Sequence, residues 1–258
     1  MQMKANYHTH TWRCNHASGN EKQYVENALK AGLEILGFAD HTPYLFPGDY
    51  YSGFRMAMEQ LPGYVDTVLA LREQYAGRIE IPLGLETEYY PKHFDGLLSR
   101  LREYPIDYMI LGQHFVGNEY DAPYNGLGSR DESLLRQYVH QSCDAMNTGL
   151  FTYFAHPDLI HFTGDEQIFR HQMRDICREA KSCGVPMEFN LLGLAGGRHY
   201  PTRVFWELAA EEGCQCILGR DAHTPDALLD KKTEEQALEI LRSLGITPLE
   251  RVNLRPID

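Results

Sequence analysis

Seven short apolar segments of the chain each end in side chains of the kind that bind divalent metal ions. They are Tyr-His-Thr-His (7–10), Gly-Phe-Ala-Asp-His (37–41), Leu-Gly-Leu-Glu-Thr-Glu (83–88), Met-Ile-Leu-Gly-Gln-His (109–114), Tyr-Phe-Ala-His (153–156), Met-Glu-Phe-Asn (187–190) and Ile-Leu-Gly-Arg-Asp-Ala-His (217–223). Imidazole and carboxylate groups are common ligands of Zn²⁺ and related ions. The repetition predicts a multinuclear metal site.

The spacing within these segments supports that prediction. His8 and His10 are two residues apart, as are Asp221 and His223. Alternate side chains of a β-strand leave on the same face, so each pair points to one side. A single His-x-His pair is weak evidence for a metal site. Several such pairs in one chain are much stronger.

Three further histidines, His41, His114 and His156, each end an apolar segment. A hydrogen-bonded core histidine is the ordinary alternative for each of them taken singly. Burying so many ionisable groups together without cations would cost a prohibitive amount of free energy. The set as a whole therefore favours metal binding.

The elements that position these residues alternate between strand and helix. Helical periodicity predicts helices over 20–32, 57–76, 93–103, 130–149, 165–183, 202–213 and 233–244. Strand followed by helix, repeated seven times, predicts an α/β fold with a parallel sheet. Because polar residues end every strand, closure into a barrel is favoured over an open sheet. No linker or internal repeat is found, so 1–258 is predicted to be a single domain.

Composition excludes several other classes. The net charge of −12 argues against nucleic-acid and anionic-membrane binding, since both need a basic surface. No apolar stretch reaches the ~18–20 residues of a membrane span. The six cysteines lack Cys-x-x-Cys spacing and are interpreted as reduced thiols. We therefore expect a cytoplasmic protein that is a monomer or small homo-oligomer.

The ordered set of motifs resembles the polymerase-and-histidinol-phosphatase (PHP) superfamily, over residues 7 to about 225. The motifs are His-x-His with a later His, Asp-His, Gly-Leu-Glu-x-Glu, a strand-end His, Ala-His-Pro-Asp and a final Asp-x-His. Within the superfamily the chain looks most like the monofunctional histidinol-phosphate phosphatases. The segments that carry this narrower resemblance are 54–56, 84–89, 107–116 and 156–159.

The resemblance implies a distorted (β/α)7 TIM-like barrel that holds three divalent metal ions, with Zn, Mn and Fe as the candidates. Carried over by motif position, the first ion would be held by His8, His10, Glu86 and Asp221. Glu86 would bridge to a second ion held by His114 and His156. The third would be held by His16, His41 and His223.

The implied reaction is hydrolysis of L-histidinol phosphate, a step of histidine biosynthesis. A hydroxide between two of the metals would attack phosphorus, with Glu86, Asp221 and His223 as ligands at the reacting centre. Asp40 fits a role in orienting an imidazole or bonding a metal-bound water. The proton for the leaving alkoxide would come from Asp40 or from a metal-bound water near His223, and the sequence does not choose between them.

Candidate substrate contacts lie in the longer loops. Arg198, in Gly-Gly-Arg-His-Tyr-Pro, falls where the resembling phosphatases keep a phosphate-contacting arginine. Arg55 is a second candidate, with a loop-anchoring salt bridge as its alternative. His161 and the loop aromatics are further possible contacts. Arg220 should point away from the site by strand alternation, and Glu88 fits either a hydrogen bond to a ligand or a barrel ion pair.

Three rival functions remain open at this stage. The first is a phosphatase or phosphodiesterase of the same fold that acts on another small phosphoester or nucleotide. A proofreading exonuclease would need a larger polypeptide and a basic path for nucleic acid. A metal-dependent amide hydrolase of the related barrel class commonly has a bridging lysine, and no lysine ends any of the seven segments.

Overall fold

Short parallel strands alternate with helices along residues 2–257, the part of the chain that this computed structural model describes. The strands are β1 (Ala5–Asn6), β2 (Ile35–Leu36), β3 (Phe38–His41), β4 (Leu83–Thr87), β5 (Tyr108–Leu111), β6 (Phe151–Phe154), β7 (Met187–Asn190) and β8 (Cys216–Gly219). The α-helices are α1 (Glu21–Ala31), α2 (Leu61–Gln74), α3 (Phe94–Leu101), α4 (Glu132–Asn147), α5 (Glu166–Ser182), α6 (Leu191–Ala195), α7 (Arg203–Glu212) and α8 (Lys231–Ser243).

The strands form a curved sheet that closes on itself. Strands β3 to β8 pair in sequence order, and β1 pairs with β2. The segment after β1 joins the two edges of the larger sheet. On one side the N–H of Ala39 donates to the carbonyl of Thr9 (2.9 Å), and on the other the N–H of His10 donates to the carbonyl of Ala222 (3.0 Å). With β2 and β3 counted as one segment interrupted at Gly37, the predicted distorted seven-segment barrel is confirmed.

The helices follow the predicted pattern with small shifts at their ends. Helix α1 begins after Asn20, whose side chain accepts the N–H of Gln23, and ends at Gly32 in the left-handed conformation (φ 81°). Helix α2 starts later than predicted, because residues 58–60 form a separate 3-10 turn before Leu61. Pro62 is tolerated there because the first turn of a helix has no partner for its N–H group.

Tyr108 fills much of the barrel interior below the site. Its hydroxyl donates to the carbonyl of Tyr7 (2.7 Å) and reaches the carbonyl of Phe38 (3.3 Å). A Cβ added at Gly37 or Gly84 would overlap the Tyr108 ring. Glycine at these positions therefore lets neighbouring strands pass close to a fully buried aromatic ring.

We expect Gly84→Ala to lower the free energy of unfolding by about 1–3 kcal/mol, the usual cost of overpacking a dense core. The ring of Tyr108 is held by its hydroxyl and cannot move aside freely. The measurement is chemical denaturation. Gly96→Ala is the matched control, because a Cβ at that helical position meets no atom within 4 Å. Equal stabilities for the two variants would contradict the packing argument.

Two global features complete the fold. Within residues 2–257 no helix is both long enough and apolar enough to cross a bilayer. The six cysteines of that range are all free thiols, and Cys14, Cys177 and Cys216 are buried.

Candidate metal centre

The nine side chains predicted as metal ligands meet at the C-terminal ends of the strands. Groups of three whose ligand atoms lie within 4.8 Å of one another include His8–His10–Asp221, His8–Glu86–His156, His10–His41–Glu86 and His16–His41–His223. His114 joins them through its Nε2, which lies 3.6 Å from Oε1 of Glu86. Parallel strands with polar C-terminal residues thus produce one continuous cluster.

The first set consists of His8, His10, Glu86 and Asp221. Nε2 of His8 lies 3.5 Å from Oε2 of Glu86 and 3.4 Å from Oδ1 of Asp221. For Nε2 of His10 the corresponding distances are 3.5 and 3.1 Å. A tetrahedral zinc ion with ligand bonds near 2.0 Å separates its ligand atoms by about 3.3 Å. These four atoms therefore fit the corners of such a site.

Buried polar atoms without partners lead to the same conclusion. Within residues 2–257, Nε2 of His8, Nε2 of His10, Oε2 of Glu86 and Oδ1 of Asp221 make no hydrogen bond. Buried polar groups in folded proteins are otherwise paired in the great majority of cases. These unpaired ligand atoms are the ones that a shared divalent cation would satisfy.

Glu86 lies between two groups of histidines. Its Oε2 faces the first set, whereas its Oε1 lies 2.9 Å from Nε2 of His156 and 3.6 Å from Nε2 of His114. Gly112 leaves room for this carboxylate, because a Cβ at that position would overlap it. The side chain can therefore bridge two cations, one through each oxygen.

The third set lies nearer the cavity mouth. Nδ1 of His16 contacts the carbonyl of Cys14 (2.7 Å), and Nδ1 of His223 contacts the carbonyl of Asp221 (3.0 Å). These contacts place the proton on Nδ1 in each ring and leave both Nε2 atoms as acceptors. The two Nε2 atoms lie only 2.9 Å apart, so the pair is arranged to share a cation.

The pKa shifts within the cluster divide its groups into two kinds. Burial favours the neutral acid, but the surrounding imidazoles, with His41 and His114 foremost, hold the pKa of Glu86 well below its usual range. Asp221 behaves in the same way beside His8. Burial and the neighbouring His10 lower the pKa of His223 to about 3. At His10 burial lowers the pKa, but hydrogen bonds to the carboxylates of Asp221 and Asp40 raise it to about 9. In the metal-free protein this ring therefore carries a proton that a bound cation would displace.

Glu188, on the sixth segment, is a site residue to which we assigned no role from the sequence. Its Oε1 lies 2.9 Å from Nδ1 of His8, and its Oε2 accepts the N–H of His156 (3.0 Å). Gly219 on the adjacent strand leaves the space that this carboxylate occupies. A glutamate inside an otherwise apolar strand was the available signal in the sequence.

Asp40 is not among the residues that line the cavity, so its position does not support the predicted role as a proton donor to the leaving group. The residue is fully buried, and its carboxylate accepts the N–H of Thr11 (3.1 Å) and lies 3.4 Å from Nδ1 of His10. It is placed to orient His10, which is the other role predicted for it.

A cavity of about 450 Å³ opens above the cluster. It is lined by His16, His41, Phe54, Glu86, His114, Phe115, Tyr124, His156, Leu192, Arg198, Tyr200, Asp221 and His223. Arg198 is the one arginine in this lining, and its Nη1 donates to the hydroxyl of Tyr200 (2.7 Å). Phe54, Phe115 and Tyr124 form an aromatic wall. The sequence did not point to Tyr124, Leu192 or Tyr200.

The other two predicted substrate contacts lie away from this cavity. Arg55 is 2% exposed and its guanidinium is bonded to Glu88, Glu119 and the carbonyl of Thr42, so the predicted substrate contact is wrong and the alternative, a loop-anchoring ion pair, describes it. His161 stacks on His199 at 4.1 Å and lines a separate cavity. The prediction that His161 contacts substrate at the metal centre is therefore not supported by its position.

Two further side chains beside the site, Glu88 and Arg220, can be compared with their predicted roles. Glu88 serves in both of its proposed capacities, since Oε1 lies 2.8 Å from Nδ1 of His114 and Oε2 accepts from Arg55. Arg220 points away from the cavity and pairs with Glu234, as strand alternation predicts.

Such a set of histidines and carboxylates at the C-terminal ends of a distorted α/β barrel defines a metal-dependent hydrolase of the PHP type. The family model for the PHP domain matches residues 6–191. The chain therefore belongs to the PHP domain family.

Similar proteins carry more specific names. A "Probable histidinol-phosphatase" of Deinococcus radiodurans is 33% identical over 231 residues, which cover 84% of this chain and 85% of that protein. The "Histidinol-phosphatase" of Bacillus subtilis is 27% identical over 256 residues, covering 85% and 93% respectively. A crystal structure of histidinol phosphate phosphatase from Lactococcus lactis, complexed with zinc, L-histidinol and phosphate, superposes with a TM-score of 0.76 at 20% identity, covering 98% of this chain and all of that one.

Proposed function

We propose that this protein is a metal-dependent phosphomonoesterase that hydrolyses L-histidinol phosphate to L-histidinol and phosphate. The observation that carries the proposal is the cluster of nine candidate ligand side chains beside a cavity that seven of them line together with Arg198. The names of the Deinococcus and Bacillus relatives supply the substrate. Among the described residues that line the cavity none is lysine, which also speaks against the amide-hydrolase alternative.

We assign three divalent ions to the centre, the number that the resemblance to the PHP superfamily implies. The first set would be His8, His10, Glu86 and Asp221; the second would be Glu86, His114 and His156; the third would be His16, His41 and His223. Bound cations of this kind lower the pKa of water toward neutrality and neutralise charge on a phosphate group. Zinc fits the spacing of the first set, and manganese and iron are the other candidates.

The protein's own groups would bind and orient the ester. Arg198 lines the cavity together with residues of the cluster, and its planar guanidinium can donate two parallel hydrogen bonds to phosphate oxygens. The Tyr200 hydroxyl accepts from Arg198 and limits its rotamers. The aromatic wall offers Phe54, Phe115 and Tyr124 as flat surfaces against which a planar imidazole ring can pack.

The decisive experiment measures phosphate release from L-histidinol phosphate beside a panel of sugar, nucleotide and amino-alcohol phosphates. The purified protein is first stripped with a chelator and then reloaded with Zn²⁺, Mn²⁺ or Fe²⁺. We expect kcat/KM to be highest for L-histidinol phosphate and activity to depend on the added metal. Hydrolysis of other esters without that of histidinol phosphate would favour the alternative small-phosphoester substrate.

Glu188 offers a test of how the ligands are held. We expect Glu188→Gln to weaken binding of the ion at His8 by about 10- to 100-fold, the usual effect of removing the partner of a metal-bound histidine. Zinc titration of the stripped protein provides the measurement. Glu207→Gln on the exposed face of α7 is the control, since Glu207 pairs only with surface arginines. An unchanged zinc affinity in Glu188→Gln would show that Glu188 does not contribute to metal binding at His8.

A further inference from the structure

Arg55 lies at the centre of a buried network of charged groups behind the metal centre. Its Nη1 donates to Oε2 of Glu88 (3.1 Å) and to the carbonyl of Thr42 (2.7 Å), and its Nε donates to Oε2 of Glu119 (3.0 Å). Arg55 is 2%, Glu88 0% and Glu119 5% exposed. One cation is thus enclosed between two carboxylates from distant parts of the chain.

The network reaches the metal centre through a single side chain. The second carboxylate oxygen of Glu88 lies 2.8 Å from Nδ1 of His114. A carboxylate in this position accepts the Nδ1 proton, fixes the ring and leaves Nε2 free to coordinate. Nε2 of His114 indeed faces Glu86. Without Arg55, Glu88 would be a buried charge with no cationic partner other than His114.

Arg55 also controls one wall of the cavity. Its guanidinium lies 4.4 Å from the ring centroid of the preceding residue, Phe54. Phe54 stacks on Phe115 at 5.7 Å and meets His41 edge-on at 5.2 Å. The bonds to Thr42 and Glu119 hold the two long loops that carry Phe54 and Phe115 against each other.

We propose that Arg55 is a positioning residue that, through Glu88, sets the orientation and the tautomer of His114 and so the affinity for the ion at His114 and His156. Arg55 itself touches neither substrate nor metal. The proposal rests on the metal role proposed above for His114. It assigns to the loop of residues 42–56 a function in building the metal centre as well as in enclosing the substrate.

The test is a metal titration without substrate, followed by metal analysis of each variant. Arg55→Met combined with Glu119→Gln removes one positive and one negative charge, so the variant keeps the net charge of the protein. We expect the affinity for one ion to fall by about 10- to 100-fold while the remaining ions bind as in the wild type. Arg55→Lys keeps a point charge near Glu88, so its affinity for this ion should lie between those of the wild type and of the double variant.

Further variants separate positioning from a general loss of stability. Glu88→Gln should weaken the same ion, because the effect of Arg55 passes through this carboxylate. Arg72→Met is the control, since Arg72 pairs with Asp107 and the carbonyl of Ile81 at the opposite end of the barrel. It should lower the melting temperature and leave every metal affinity unchanged.

Two results would overturn the proposal. One is wild-type affinity for all ions in the Arg55 variants, even if their melting temperatures fall. The other is loss of the ion in the Arg55 variants but not in Glu88→Gln. The titration contains no substrate, so it still tests the role of Arg55 if the protein fails to hydrolyse histidinol phosphate. A wild-type protein that binds no metal would overturn both proposals.

Discussion

Exchange of Glu86 for glutamine is expected to abolish hydrolysis of L-histidinol phosphate. Oε2 of this residue faces His8 and His10, and Oε1 faces His114 and His156. The amide has nearly the same shape but has no charge, and only one of its two ends can coordinate a cation. Two ions would therefore be weakened by one substitution.

The loss should be at least about 1,000-fold in kcat, because a metal site lowers the pKa of bound water from ~15.7 to ~7 and this advantage disappears. The measurement pairs phosphate release with metal analysis of the same sample. Glu239→Gln on the exposed face of α8 is the matched control and should keep full activity. A Glu86→Gln protein that kept wild-type metal content and turnover would refute the bridging role.

Replacement of Arg198 by alanine should leave the metals bound and remove most of the catalytic efficiency. The guanidinium lines the cavity beside the cluster, and no other arginine lines it within the described residues. Loss of a donor aimed at developing charge on a reacting group typically costs about 10²–10³-fold. We expect kcat/KM to fall in that range, with KM raised.

Steady-state kinetics and metal analysis together test this expectation. Arg198→Lys should recover only part of the efficiency, since an ammonium group cannot make the paired hydrogen bonds of a guanidinium. Arg203→Ala, at the exposed start of α7, is the control because Arg203 pairs only with Glu207. Loss of metal from Arg198→Ala would mean that the side chain supports the cluster rather than the phosphate.

Local sequence patterns predicted the strand ends and eight of the nine side chains gathered there, because each of the eight lies at the end of an apolar segment. The role of the ninth, His16, was implied only by the resemblance to the PHP superfamily. Neighbouring parallel strands then bring such residues together without further information. The alternation of strand and helix predicted the parallel sheet, and the polar strand ends favoured its closure into a barrel. The distorted seven-segment form was implied by the resemblance. These features depend on short stretches of chain, and patterns within such stretches can be recognised in the sequence.

The features that the sequence did not predict depend on contacts between distant segments. Glu188 meets His8 across 180 positions, and Arg55 meets Glu119 across 64. Arg55 carries the same charge whether it binds a phosphate or a buried glutamate, so the residue type alone could not distinguish a substrate contact from an ion pair. The position of Asp40 could not be predicted for a similar reason. The sequence places this residue at a strand end, but only tertiary packing decides whether its carboxylate lines the cavity.

The seam where the barrel closes coincides with the metal centre. The first strand has only two residues, and at the closing seam the N–H of His10 donates to the carbonyl of Ala222 while the N–H of Ala222 donates to the carbonyl of His8. The same two stretches supply His8, His10, Asp221 and His223. Cations bound there would join residues 8–10 to residues 221–223, two stretches more than 200 residues apart in the chain. Ions bound at the seam would thus also stabilise the closed barrel, because a ligand that binds only the folded state raises the free energy of unfolding.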